Sequence, residues 1–384
     1  MRKSATRRVG VGVLVCLALG SAMAADGALA SGGSSSFSSA EVAAAKAAGS
    51  KAGKAMGKRV PVHSETIGIL QIAYSSESAA AAQMAIQAAA KQIGWKTIAC
   101  DGEGNPVKIA DCGNTLVSDN VNAIVSIANT PSTWAAPLAK AHAHGIPVIN
   151  ISGEIAPSPD IAASYAPSNT KQGQILAAWM VKKLRPLQGQ IDISVNTFPA
   201  LWGTARTNAV LAAAKTDPHI KVSYEASTDP TSVQAGTHQT ITDQLTANPN
   251  LKAIWFSYDV AAQAGGQAVV SKFGSKQFPS RPLVLTFGTD SGTLALLRTG
   301  AISASVENDT SVNGYEAIDQ LAEHFSRGAK IAPTTSAFTT YGSFPLEAYR
   351  LFTKANVTAT GPVLPPGDFA AFFAAKWSAE FSGR

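Results

Sequence analysis

The chain has 384 residues, 46% of them hydrophobic and 15% charged, with 31 Lys plus Arg against 25 Asp plus Glu and a formal charge of +6. This apolar content excludes a disordered or polyelectrolyte chain, and three cysteines exclude a disulfide-dense scaffold. The charge is also uneven. Residues 1–24 carry Arg2, Lys3, Arg7 and Arg8 and no acid, and residues 25–64 carry five bases against two acids, which leaves the remaining body at −1. Such a body offers no basic stripe for phosphate neutralisation, which argues against a nucleic-acid partner.

In chain order, the basic head is followed by an apolar stretch over 9–20 and by Ala22-Met23-Ala24, the layout of a secretory signal peptide spanning 1–24. Those twelve apolar residues, at about 1.5 Å of rise each, fall short of a ~30 Å hydrocarbon core, so no permanent anchor is expected. Cys16 follows Val15 and matches a lipoprotein site poorly, while Arg7-Arg8 leaves Sec and twin-arginine export both open. Export would place the protein in the periplasm or outside the cell. Cys100 and Cys112 would then stand in a compartment that permits a disulfide; a bond and two free buried thiols both fit. Residues 25–64, rich in Ser, Gly, Ala and Lys with no spaced apolar face, read as a flexible spacer.

The body alternates β-rich apolar runs with helical stretches. Strands are predicted at 67–73, 95–99, 122–128 and 146–151, their starts 28, 27 and 24 residues apart, the spacing of βαβ units. Helices at 79–93, 109–119 and 132–144 lie between them, with stops at Gly94, Asn120 and Gly145. A second series has strands at 191–196, 221–225, 253–257, 283–287 and 302–306, with helices at 204–215, 237–247, 260–273 and 313–324. The strands are apolar nearly throughout, as in parallel sheets covered on both faces. The fold class is therefore α/β with two doubly wound lobes, in which ligands sit beyond the carboxyl ends of the strands.

Several short segments carry a resemblance. Ile67-Gly68-Ile69 opens the first strand and Gly145-Ile146-Pro147-Val148-Ile149 the fourth. Ala166-Pro167-Ser168-Asn169 precedes a helix at 172–184, Arg206 and Ala209 lie on a later one, and Pro249-Asn250-Leu251-Lys252-Ala253-Ile254 leads to Tyr258-Asp259. Phe287 with the 294–300 helix, then Asn308 with Gly314-Tyr315, complete the order. Over about residues 64–341 the chain resembles the type I periplasmic binding proteins, the sugar-binding branch related to ribose-binding proteins and lactose-repressor cores.

The resemblance implies a hinged clamp that closes on one small molecule, a sugar or another small polar or aromatic metabolite, and delivers it to an ABC permease. It implies a monomer without metal or cofactor. Three crossings would lie near Pro167, 308–310 and 341–343, with a first lobe of 65–166 plus 310–341 and a second of 167–309 plus 342–384. The implied ligand contacts are Tyr74, Ser75, Ser76 and Ser152 from the first lobe, and Arg206, Tyr258, Asp259, Asp290 and Asn308 from the second and its crossing. Trp134 and Trp202, in strand-end loops, could stack on a ring, or pack in the core. Departures stand beside these matches: Ser152-Gly153 where sugar-binding relatives have Asp-Arg, Ser78 and Ala79 for an aromatic pair, Tyr258 for Asn, and Gly288 for Asp unless Asp290 substitutes. A less hydroxylated or more aromatic ligand fits as well as a common sugar.

Other classes have less support. The glycine-bearing segments lack a dinucleotide fingerprint and a P-loop, Asp290-Ser291-Gly292 is no nucleophile elbow, and His142 and His144 fall on different helix faces. A secreted enzyme is therefore a remote alternative. A ligand sensor for a chemoreceptor or sensor kinase is a closer one, since it would use the same clamp.

Overall fold

The computed structural model describes residues 36–334, 341, 344 and 349–383. The expected signal peptide (1–24), the start of the expected spacer (25–35), and Gly342 and Ser343 of the last expected crossing lie outside them.

Ser38 and Glu41 form a capping box: the Ser38 hydroxyl accepts from the Glu41 amide at 3.3 Å, and the Glu41 carboxylate accepts from the Ser38 amide at 2.7 Å. The box starts helix α1 (Ser39–Ala55), which corrects the reading of 25–64 as a flexible spacer throughout. The small residues that suggest a linker are a packing face, with Ala45, Gly49, Ala52 and Gly53 all buried. A short strand, β1 (Val60–Pro61), follows.

The first sheet contains β2 (Thr66–Gln71), β3 (Lys96–Asp101), β4 (Ala123–Ile127), β5 (Val148–Ile151) and β6 (Ala163–Tyr165), all parallel, in the order β3-β2-β4-β5-β6. Between its strands run α2 (Glu77–Gln92), α3 (Pro106–Ser118), a 3-10 turn (Pro131–Trp134) and α4 (Ala135–Ala143). Apart from edge strand β3, which buries no residue, the strands bury side chains on both faces. Ile67, Ile69, Val125 and Ile149 meet Ile86 and Ala89 of α2, while Leu70, Ile124 and Val148 meet Ile109, Leu116 and Leu138 of α3 and α4. A Cys100–Cys112 disulfide ties edge strand β3 to α3. The expected stops at Gly94, Asn120 and Gly145 all adopt left-handed backbone.

The second lobe runs through α5 (Asn169–Leu184), β7 (Ile191–Thr197), α6 (Leu201–Ala214), β8 (Ile220–Ser227), α7 (Val233–Ala247), β9 (Ala253–Phe256), α8 (Asp259–Phe273), β10 (Leu283–Phe287), α9 (Ser291–Thr299) and β11 (Ala304–Val306). Helices α5 and α6 cover one face of the sheet, and α7, α8 and α9 the other. The chain passes between lobes after β6 and again after β11, where α10 (Ser311–Arg327) returns to pack on α2. Strand β12 (Leu351–Phe352) then adds an antiparallel edge to the second sheet, whose order is β12-β11-β10-β9-β7-β8.

After β12 the chain makes a fourth passage, which was not expected. Helix α11 (Phe369–Glu380) goes back to the first lobe, and β13 (Phe381–Ser382) pairs with β1, so these elements do not belong to the second lobe as the 342–384 assignment has it. The cause is the apolar face of Phe372, Phe373 and Trp377, which completes the first core against Tyr315 and α1. Beside that face, wholly buried Lys376 donates to Asp319 at 2.7 Å, Glu323 at 3.1 Å and Glu380 at 2.7 Å. Arg327 lies 3.2 Å from Glu323 and 3.5 Å from Glu380. Three carboxylates thus meet two cations, and the surplus proton rests on Glu380. Burial, and then the bond it shares with Glu323, push its pKa up to about 9.

Two outcomes follow for stability. A Cβ at Gly53 would fall 2.2 Å from the Lys376 carbonyl oxygen. Gly53→Leu should therefore cost about 1–3 kcal/mol, read as a lower melting temperature with earlier proteolysis of residues 39–55. Glu380 binds its proton more tightly folded than at its ordinary value of 4.5, so this contribution is present below that value and is lost as pH rises towards 9. Glu380→Gln, neutral throughout, should flatten the fall in melting temperature between about pH 5 and 9; an unchanged profile would show that Glu380 holds no such proton.

Candidate functional site

The strand-to-helix turns of the two lobes face each other. From the first lobe, β2 leads to Ser75 and Ser76, β4 to Ala128 and β5 to Ser152. From the second, β7 leads to Phe198, β9 to Tyr258 and Asp259, and β10 ends in Phe287. The passage after β11 adds Asn308 and Thr310, and Trp202 and Arg206 come from α6. Together they line a cleft of about 370 Å³, at the position the strand-end rule indicates. A wider groove of about 580 Å³ beside the first passage is walled largely by Pro157, Ile161, Pro167 and Pro333, with no buried charge.

The turns are tight. Ala128 and Ser152 adopt φ of 57° and 73°, uncommon for residues with a Cβ. The Ser152 hydroxyl is buried with no hydrogen-bond partner among the described residues. Phe198, Trp202 and Tyr258 form an aromatic wall: Phe198 stacks on Trp202 with centroids 5.1 Å apart and planes 11° apart, and Tyr258 leans on both.

Trp202 and Arg206 stand four apart on α6 and so share a face. The Arg206 guanidinium lies 4.4 Å from the Phe287 centroid and 5.2 Å from that of Trp202. It donates to the Ser257 carbonyl at 3.0 Å and to Gln172 Oε1 at 3.0 Å, while its Nε has no partner. Burial draws its pKa down to about 10, countered by the more distant charges of Asp259 and Glu154. Gln172 in turn donates to the Glu307 carbonyl at 2.9 Å and to Asn308 Oδ1 at 3.1 Å, which joins the arginine to the second passage.

Asp259 is half-buried and accepts from the Val260 amide at 2.8 Å. Burial and a hydrogen bond shared with Asp290 raise its pKa well above the usual carboxylate range. Asp290 caps α9, accepting from the Thr293 amide at 2.7 Å and from Gln263 at 3.0 Å. This pair explains one departure from the sugar-binding pattern. At Gly288, with φ of 91°, a Cβ would sit 2.9 Å from Asp259 Oδ2, so an aspartate there would be strained and would crowd that carboxylate.

Of the residues expected at the site, Ser75, Ser76, Ser152, Trp202, Arg206, Tyr258, Asp259 and Asn308 come together. Three do not line the cleft. Tyr74 is 46% exposed and contributes only its amide, which donates to Asp101. Trp134 is buried in the first lobe between α3 and the sheet, where its bulk packs better than it would in a wet cleft. Asp290 lies behind Asp259 at a small adjoining cavity, its carboxylate engaged by the helix it caps. Phe198, Ala128, Thr310 and Gln172 were not anticipated. The strand-end rule that finds Tyr258 would also have found Phe198 and Ala128, whereas nothing local marks Gln172.

The lobes also touch outside the cleft. Glu77, at the start of α2, accepts from the Ser291 amide at 3.0 Å and from its hydroxyl at 2.6 Å, at the N-terminus of α9.

Comparison with known proteins agrees with this architecture. The sequence matches the family described as periplasmic binding protein domain over residues 67–330. None of the curated proteins compared matches it. Among solved structures, an ABC transporter solute-binding protein from Agrobacterium vitis with bound allitol is 21% identical, with a TM-score of 0.65 over 77% of this chain and 97% of that one. A carbohydrate transporter solute-binding protein from Agrobacterium radiobacter, in complex with D-arabinose, is 24% identical, with a TM-score of 0.63 over 76% and 95%. The binding protein of the arabinose ABC transporter from Shewanella sp. ANA-3, bound to α- and β-L-arabinofuranose, is 18% identical, with a TM-score of 0.62 over 76% and 93%. At these identities the likeness is one of fold, while the family match spans most of the body. The chain belongs to the periplasmic binding protein family and has its type I fold.

Proposed function

We propose that the chain is the extracytoplasmic substrate-binding subunit of an ABC importer, and that it captures one small polar ring molecule, a sugar or sugar-like compound, between its lobes. The observation that carries this reading is the cleft itself, where strand ends of both lobes meet around an aromatic wall and a buried guanidinium. Capture without turnover suits its chemistry. Arg206 donates, the serines donate and accept, and burial with the neighbouring Asp290 raises the pKa of Asp259 above the usual carboxylate range. The structurally similar proteins described as solute-binding subunits, with allitol or D-arabinose bound, support the same reading. Residues 1–24 would export the chain to the periplasm or beyond the cell, where it acts as a monomer and presents its closed lobes to a permease.

Purified protein should respond to a panel of sugars, polyols and small ring acids with a rise in melting temperature and a change in tryptophan fluorescence. A ligand at a hundred times its Kd should add about 2.7 kcal/mol. Trp202→Phe should remove most of the fluorescence change. No response across the panel would overturn the proposal. The Glu77–Ser291 bonds favour the closed form, so Glu77→Ala should enlarge the radius of gyration by small-angle scattering and weaken capture about two- to tenfold. Unchanged scattering and affinity would remove Glu77 from the closing mechanism.

A further inference from the structure

Within that binding reading, on which this step rests, we infer that the ligand is a small cyclic carboxylate, its carboxylate anchored by Arg206 and its ring seated on the Phe198–Trp202–Tyr258 wall. Arg206 is only 4% exposed, yet both of its hydrogen-bond acceptors, the Ser257 carbonyl and the Gln172 amide oxygen, are neutral. No ion pair reaches it among the described residues, and Nε is buried without an acceptor. Its remaining contacts are the ring faces of Trp202 and Phe287. A buried cation is ordinarily paired, because leaving its charge uncompensated is costly. Here the open side of the guanidinium is the cleft.

The other charges around the cleft do not neutralise it. Asp259 makes no ion pair with Arg206 among the described residues, and burial together with its hydrogen bond to Asp290 disfavours its charged form. Asp290 is turned to the start of α9, where it accepts from the Thr293 amide and the Gln263 side chain. Asp259 and Glu154 lend Arg206 some favourable charge, but neither forms an ion pair with it among the described residues. Glu103, on the first-lobe side, is paired with Lys108 at 2.6 Å. The rest of that wall offers the hydroxyls of Ser75, Ser76 and Ser152 and no charge. The cleft thus presents one buried cation without an ion pair, an aromatic wall and a set of hydroxyls. A carboxylate on a single ring satisfies all three: it would accept from the guanidinium fork, its ring would lie against the aromatic wall, and the serines would meet any ring hydroxyls. A neutral polyol would leave the guanidinium charge as it stands.

The test compares matched acid and neutral partners on the full chain by titration calorimetry: D-glucuronate with D-glucose, D-galacturonate with D-galactose, and 4-hydroxybenzoate with 4-hydroxybenzyl alcohol. The acid of at least one pair should bind tenfold or more tightly than its neutral partner, and the series in which this occurs tells sugar acids from aromatic acids. Arg206→Gln should abolish the preference, and Arg206→Lys should keep part of it. Because Arg206 also holds Ser257 and Gln172, a variant that folds poorly is set aside and the comparison on the unaltered protein decides. Neutral partners binding as tightly as the acids would overturn this inference and leave the binding function standing. Silence from all six compounds, beside a response to other members of the broader panel, would overturn it as well; silence from both panels would count against the binding function itself.

Discussion

A guanidinium buried without a carboxylate partner is the constraint around which the two lobes are organised. Arg206 tethers the turn after β9 through the Ser257 carbonyl and the start of α5 through Gln172. Gln172 passes the connection to Glu307 and Asn308 in the second passage between lobes. One side chain therefore links the floor of the cleft to a segment that must bend if the lobes move. Because neither hydrogen-bond partner of the guanidinium is charged, an anion entering the cleft would give it the ion pair it lacks, while its geometry is already set. A ligand that meets that demand gains on two counts: the fork is preorganised, and little ordering remains to oppose binding.

The rest of the molecule holds this arrangement in place. In the first lobe the sheet is closed over by α1 and α11, elements from opposite ends of the chain, which approach closely because Gly49 and Gly53 present no Cβ to α11. Lys376 then satisfies three carboxylates at once, in a trio whose oxygens lie close enough to suggest a cation site; its ammonium occupies the place an ion would take. Breaking such a cluster by removing one partner leaves uncompensated charge in the core, so α11 is held by electrostatics as well as by Phe372, Phe373 and Trp377. The consequence for the site is indirect: the fourth passage ties the chain end back to the lobe that supplies Ser75, Ser76 and Ser152.

Much of this is legible in the sequence, and the limits have physical causes. The nine runs read as strands all form strands; the central ones are covered on both faces, as their uninterrupted apolar character requires, while β3 and β8 lie at sheet edges and are largely exposed. The site residues read correctly are those at strand ends, where topology alone determines position. Trp134 and Tyr74 share that location but point elsewhere: each follows a strand end on a turn whose dihedrals decide whether the side chain enters the cleft, the core or solvent. Asp290 is displaced from the cleft by a local event, the capping of α9. Gln172 has no signal because its importance lies in a partner 34 residues away.

The amino-acid sequence by itself determined the alternation of strands and helices, the two-lobed fold class and the strand ends that form the cleft, since periodicity, turn residues and burial on both faces act over short distances. Only the tertiary structure decided what the small-residue stretch at 39–55 does, where α11 docks and which charges are matched. Those outcomes depend on which distant groups meet. A stripe of Ala and Gly is a spacer or a tight interface according to the helix that comes against it. A buried arginine is neutralised or left waiting according to whether a carboxylate from elsewhere in the chain reaches it, and here none of the described ones does.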